Sequence, residues 1–121
     1  MKNIARLRVD DVVNIDQQRV TEIVNELGRH AAENLIQAAL EQLALALQQV
    51  LSAAAQDDLA QIAYHVDRLS RLARQVGLVT LAGVAVDVGR CAENLDRQGL
   101  RATLARLERI GARSLTEIWD H

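Results

Sequence analysis

The sequence predicts an all-α fold, an antiparallel up-down four-helix bundle with a short extra helix at its N-terminal side. Half of the 121 residues are hydrophobic but only 2% are aromatic, so Ala, Leu, Val and Ile supply almost all of the apolar content. The chain has no proline, and much of its remaining composition is Arg, Gln and Glu, which are good helix formers. Apolar residues also recur at spacings of three and four. These observations together favour helices over strands.

Helix-breaking and helix-capping residues divide the chain into five helices. A short first helix follows a cap at Asn14 or Asp16 and ends at Gly28, because Asn and Asp cap helix starts and glycine often ends a helix. A long second helix runs from about residue 29 to residue 56. It carries a heptad seam, here called the inner seam, formed by Ile36, Leu40, Leu43, Leu47, Val50 and Ala54.

Similar punctuation separates the remaining three helices. Asp57 and Asp58 stand where the third helix would begin, and Gly77 ends it. The apolar stripe of this third helix consists of Ile62, Val66, Leu69, Ala73 and Val76. The fourth helix starts near Thr80, and Gly99 separates it from the last helix. Because the connections are short, sequential helices are expected to be antiparallel neighbours.

The helices predict one domain over residues 14–121, preceded by an N-terminal arm over residues 1–13. The second helix is apolar beyond its inner seam, and a helix that is apolar over much of its circumference usually has two partners. We therefore consider a homodimer through this helix. The residues that widen its apolar face are Leu35, Ala38, Leu45, Ala46 and Ala53.

Charge and composition exclude several classes of partner. The net charge is −2, with a net of −4 in residues 1–60 and +2 in residues 61–121. One Tyr and one Trp make no stacking platform for nucleic acid, so we expect none to bind. No apolar run is long and uncharged enough for membrane insertion. The lone Cys91 excludes a disulfide within one chain, which fits a reducing cytoplasm. A single cysteine also cannot build a zinc site by itself. We expect no metal and no cofactor.

No catalytic motif stands out, so we do not expect an enzyme with its own substrate. His30 lies at a helix start and is expected to be exposed, and His121 is the last residue. His65 lies inside the third helix, where its role depends on which side of that helix it occupies. We expect Cys91 to be a buried structural thiol and Trp119 to cover the end of the bundle.

Residues 15–119 follow a recognisable order. A front helix ends in Glu26-Leu27-Gly28, a long helix follows, Asp57-Asp58-Leu59 leads into the third helix, and Gly77 precedes a Leu-rich helix. In this order the chain resembles the histidine-containing phosphotransfer (Hpt) domain of two-component phosphorelays. The resemblance implies that the third helix bears the phosphohistidine within the pattern A-H-x-L-K-G-S-(A/S)-x-x-(V/L)-G. It also implies a response-regulator receiver domain or a histidine kinase as the partner.

Two registrations of this pattern are open. Laid without gaps onto Gly77, the pattern agrees at the apolar positions, but its histidine falls on Asp67, its lysine on Ser70 and its glycine on Arg71. This registration describes a degenerate member of the family with Asp67 at the phosphohistidine position.

The second registration keeps a histidine. It places His65 on the phosphohistidine position and Arg68 on the lysine position, but it puts Leu69 on the glycine and leaves Gly77 two residues late. Helical geometry favours the first registration, because position 67 points roughly 130° away from the apolar stripe while position 65 lies roughly 60–70° from its centre. A phosphoacceptor must project into solvent to enter the active site of a partner.

The chemistry of Asp67 differs from that of a histidine. Phosphotransfer needs an uncharged imidazole nitrogen to attack an aspartyl phosphate, with a nearby cation to steady the phosphoryl group. A carboxylate repels the phosphoryl oxygens and would form an unstable acyl phosphate, so Asp67 is not expected to carry phosphate.

The face around Asp67 is rich in arginine, and Arg71 follows Asp67 at the i+4 spacing of a helical ion pair. Such a face is either a solvated helix surface or a docking surface for the acidic pocket that the resemblance implies in a receiver domain. The predicted docking surface consists of Tyr64, Asp67, Arg68, Arg71, Arg74 and Gln75.

The leading hypothesis is an Hpt-like signalling protein that acts by docking to a receiver domain or a kinase without carrying phosphate. The first alternative is an active phosphotransfer protein that uses His65 as its acceptor, with Arg68 as the steadying cation. The second alternative is a helical oligomeric scaffold unrelated to phosphorelays.

Overall fold

The computed structural model describes residues 12–118, which form five α-helices and no strand. This confirms the all-α prediction. Each helix from the second onward packs against the helix that precedes it, and the second helix also contacts the last. The helices are α1 (Gln17–Leu27), α2 (Arg29–Ala55), α3 (Leu59–Gln75), α4 (Val79–Glu93) and α5 (Arg97–Glu117).

Aspartate side chains begin three of the five helices. The carboxylate of Asp16 accepts hydrogen bonds from the backbone N–H groups of Gln18 and Arg19. Asp58 caps α3 in the same way, with its Oδ1 atom 3.2 Å from the amide nitrogen of Gln61. These bonds satisfy N–H groups that have no partner in the first turn of a helix, which is why Asp is favoured at these positions.

The role predicted for Gly99 is wrong. Instead of separating the last two helices, Gly99 lies in the first turn of α5, where its N–H donates to the Asp96 carboxylate at 2.9 Å. A Cβ atom at this position would collide with that carboxylate and would lie 3.0 Å from the Cys91 sulfur. The glycine is therefore explained by the cap that starts α5 and not by the end of α4.

The three connections between α2 and α5 share one backbone device. In each connection one residue has a positive φ, and the N–H of the following residue donates to the carbonyl five positions earlier in the chain, at 2.9 to 3.0 Å. This is the Schellman arrangement, which ends a helix and turns the chain within three residues. The residues with positive φ are Asp57 (54°), Gly77 (82°) and Leu95 (56°).

The core lies between α2, α3, α4 and α5 and is aliphatic, as the composition predicts. Within the inner seam of α2, the side chains of Leu47 and Ala54 are half-buried and the other four are buried. The contact between α2 and α5 passes over Gly111, where an added Cβ would lie 2.7 Å from Cδ2 of Leu47. Gly111 therefore makes room for the side chain of Leu47.

The N-terminal segment attaches to the turn between α3 and α4. The N–H of Asp16 donates to the carbonyl of Gly77 at 2.7 Å, and the N–H of Asn14 donates to Oγ1 of Thr80 at 2.8 Å. Val13, the last residue of the predicted arm, is buried in the core, while residues 1–11 of that arm lie outside the described residues.

The widened apolar face of α2 divides into two parts. Ala46 and Ala53 are buried, whereas Leu35, Ala38 and Leu45 remain exposed. Within residues 12–118, no helix combines the length and the apolar character that a membrane span requires.

The two residues for which we expected only structural roles have different outcomes. Cys91 is half-buried, which is less complete than the burial expected for it. Trp119, like His121, lies outside the described residues.

Candidate functional site

Helix α3 buries one stripe and presents the rest of its surface to its neighbours and to solvent. All five residues of the predicted stripe are at most 2% exposed, and they pack in the core. This orientation fixes which side chains flank α2, which flank α4 and which point outward.

Asp67 lies on the exposed side of α3. Its side chain is 68% exposed, and its Oδ2 atom lies 3.1 Å from Nη2 of Arg71, whose side chain is 66% exposed. The predicted i+4 pair is therefore present, and both partners are accessible to a second protein.

His65 lies on the side of α3 that faces α2, and it is half-buried. Its Nδ1 atom is buried and finds no hydrogen-bond partner among residues 12–118, while its ring meets that of Tyr64 edge-on at 5.1 Å between centroids. The imidazole borders a cavity of about 170 Å³, whose other lining residues are Gln49, Ser52, Ala53, Gln56, Asp58 and Gln61. Asp67 is thus more exposed than His65, as the helical spacing predicts.

Each registration places one residue of the family pattern at a buried position. Leu69, on which the His65 registration places the family's glycine, is fully buried in the core. Ser70, on which the gapless registration places the lysine, is only 3% exposed. A glycine at position 69 would leave a cavity in the core, and a lysine at position 70 would have a buried charge, so burial disfavours each registration at one position.

Arg68 differs from the other two arginines of the predicted docking surface because it is half-buried and is hydrogen-bonded to another helix. Its Nη2 atom donates to Oε1 of Gln42 on α2 at 3.0 Å. The remaining members are exposed, with Tyr64 at 62%. The backbone carbonyl of Gln75 accepts from Nε of Arg19, so the end of α3 is tied to α1 while the Gln75 side chain stays exposed. The predicted residues therefore form one outward strip along α3.

A groove of about 290 Å³ separates this strip from α4. Arg74 from α3 and Arg90 and Glu93 from α4 are exposed along it, and none of the three makes an ion pair within the described part of the chain. Its other lining residues are Ala63, Val66, Asp67, Ser70, Ala85, Val86 and Gly89.

The sequence prediction did not include the α4 side of this groove. Val86, Arg90 and Glu93 follow one another at spacings of four and three, which places them on one face of α4. That spacing could have identified the face, but only the rotation of α4 against α3 shows that it borders Asp67.

The described residues contain no group of three or more His, Cys, Asp or Glu side chains placed to hold a metal ion. The site is therefore built from exposed arginine and carboxylate side chains, a combination suited to binding another charged surface. Comparison of the chain with protein-family models, with curated proteins and with solved structures gives no match.

Proposed function

We propose that this chain is an Hpt-like signalling protein of a two-component phosphorelay that docks a receiver domain or a histidine kinase without carrying phosphate. The observation behind this proposal is the outward strip of α3, where the exposed carboxylate of Asp67 pairs with Arg71. The gapless registration of the resemblance puts the phosphohistidine at this carboxylate. The proposed architecture is the antiparallel up-down bundle of α2 to α5, with α1 across one end.

Several features of the fold support this architecture. Each connection from α2 to α5 spans three residues, and consecutive helices pack together, which is how antiparallel neighbours are joined. Helix α1 begins at the turn between α3 and α4 and ends at the start of α2, so it spans one end of the bundle. The reactive helix of the family corresponds to α3 in this arrangement.

The charges of the strip support docking. Arg74 has no ion-pair partner in residues 12–118, and Arg71 is held only by an exposed pair. Arginine binds carboxylates with two parallel hydrogen bonds, so these side chains suit the acidic pocket implied for a receiver domain. Exposed charges also accelerate the encounter of complementary surfaces.

The environment of His65 disfavours this residue as the acceptor. One ring nitrogen is buried, and the arginine that would steady a phosphoryl group, Arg68, already donates to Gln42. Both side chains would have to move before His65 could enter a partner's active site.

The proposal can be tested with a panel of receiver domains, each with and without phosphorylation of its aspartate. We expect at least one receiver to bind, and we expect Arg71→Glu with Arg74→Glu to weaken its binding at least tenfold, because two attractive charges become repulsive. Arg101→Glu on α5 reverses one exposed charge outside the strip and should leave binding unchanged.

The same experiment separates the alternatives. Acid-labile phosphate that appears on the wild-type chain and vanishes in His65→Gln would overturn the proposal in favour of the active phosphotransfer protein. Neither label nor binding with any receiver or kinase, in a chain that forms a stable oligomer, would favour the scaffold.

A further inference from the structure

Helix α2 has a second heptad seam outside the core, which borders α3 at Gln42, Gln49 and Ser52. We call it the outer seam, and its positions follow the spacing 4-3-4-3-4-3 that is typical of helices packed in pairs. Gln49 is half-buried and the other six residues are exposed, with Leu35 and Leu45 each at 45%. The outer seam consists of Ala31, Leu35, Ala38, Gln42, Leu45, Gln49 and Ser52.

The outer seam has no ionisable side chain over its whole length of roughly 32 Å, taking 1.5 Å of rise per residue. The outward faces of other long helices are different, because α3 presents Arg71 and Arg74. The outward face of α5 likewise bears Arg97, Arg101, Arg109 and Arg113. The residues of the outer seam therefore bring no like charges together when the seam packs on a second copy of itself, and the nearest cation from α3 is Arg68, which donates to Gln42.

The outer seam is also complementary to itself. In a two-fold symmetric contact, a residue that meets a second residue is met by the same second residue in return. The midpoint between Leu35 and Leu45 is also the midpoint between Ala38 and Gln42. An antiparallel pair centred there therefore places leucine on leucine at both ends, and the small alanine opposite the longer glutamine in between.

We propose that α2 is the interface of a homodimer, in which a second copy of the chain packs antiparallel across the outer seam. Leu35 would then contact Leu45 of the partner subunit. Because each copy contributes little more than one helix face, the buried area falls below the roughly 1,200 Å² that marks standard stable interfaces. The dimer is consequently weak and depends on concentration. This inference rests on α2 alone and does not depend on receiver docking.

The first test is sedimentation of the full chain over about 1 μM to about 1 mM, the range in which weak interfaces associate. We expect a monomer at the lower end and a dimer at the upper end. Leu45→Glu places two charges in the interface and should weaken dimerisation at least tenfold. Leu95→Asn is the matched control, because it removes the most exposed leucine, at 70%, from a turn outside α2 while suiting the positive φ of that turn.

A mixing experiment tests the register. Leu35→Arg and Leu45→Glu chains should each dimerise poorly alone, but a mixture places arginine on glutamate at one end of the seam and leucine on leucine at the other. We expect the mixed dimer to be at least tenfold tighter than either variant alone. In a parallel pair the mixture would place each new charge on a leucine, so only the antiparallel register returns the mixed dimer to an affinity close to that of the wild type.

Three results would overturn the proposal. The first is a wild-type chain that stays monomeric at every concentration, even if another protein binds the outer seam. The second is a dimer that Leu45→Glu leaves intact while circular dichroism shows the fold unchanged. The third is a mixture that dimerises no better than its components, which excludes the antiparallel register.

Discussion

The two flanks of α3 hold reactive side chains only two residues apart in very different surroundings. On the side toward α4, Asp67 is 68% exposed and shares its charge with Arg71 beside an open groove. On the side toward α2, His65 is half-buried, and one of its ring nitrogens is enclosed without a hydrogen-bond partner among residues 12–118.

The difference means that a histidine on a helix is open to a partner only if it lies on the exposed side of that helix. A rotation of about 200° separates positions two residues apart on a helix, so one of them faces solvent when the other faces a neighbour. The flank that a partner can reach carries a carboxylate, and the flank that carries the imidazole is half-buried. Under the proposed function, the surface that docks a partner and the histidine therefore lie on different flanks of this helix.

The largest expected effect comes from placing a histidine on the accessible flank. We expect Asp67→His to take up acid-labile phosphate from a phosphorylated receiver that binds the wild-type chain. The imidazole nitrogen would attack phosphorus while the bond to the receiver's aspartate breaks and its carboxylate leaves. Radiolabel transfer measures the product against a wild-type chain that takes up none.

Glu108→His provides the control, because it places a histidine at an exposed acidic position on α5. It should remain unlabelled with the same receiver. A receiver that binds Asp67→His without transferring phosphate would contradict the assignment of position 67 as the phosphohistidine position.

A smaller effect is expected on the covered flank. His65→Leu removes a buried nitrogen that has no partner in residues 12–118 and should stabilise the protein by about 1 kcal/mol, since an unsatisfied buried polar atom costs roughly 1–3 kcal/mol. Urea unfolding measures the change. His30→Leu, at an exposed position of α2, should leave the free energy of unfolding nearly unchanged. A loss of 1 kcal/mol or more in His65→Leu would show that this nitrogen is hydrogen-bonded in solution.

Local rules were sufficient to predict most of the fold. The caps at Asp16 and Asp58 and the breaks at Gly28 and Gly77 mark helix ends by interactions within a few residues, which a sequence displays directly. The prediction for Gly99 was wrong because glycine is used both at the end of a helix and where a capping side chain needs space. Deciding between those roles requires the position of the Asp96 carboxylate, which the sequence does not display.

The candidate site was predictable only where a single helix determines it. The exposure of Asp67 and its pairing with Arg71 follow from the period of α3 and its apolar stripe. The participation of Arg90 depends on the rotation of α4, and the engagement of Arg68 depends on Gln42, 26 residues away in the chain. Contacts between helices are set by packing of the whole core, and no local spacing encodes them.

The smallest expected effect concerns the ion pair on the accessible flank. Asp67→Asn should change the free energy of unfolding by less than about 0.5 kcal/mol, because water and salt compete with a pair whose two side chains are both about two-thirds exposed. The guanidinium of Arg71 is then free for a partner at little cost to stability, and the variant should bind a receiver at least as tightly as the wild type does. Urea unfolding and receiver titration, each repeated at low and high salt, measure the two quantities. A loss above 1 kcal/mol with weaker binding would assign the pair to the fold of α3 and not to docking.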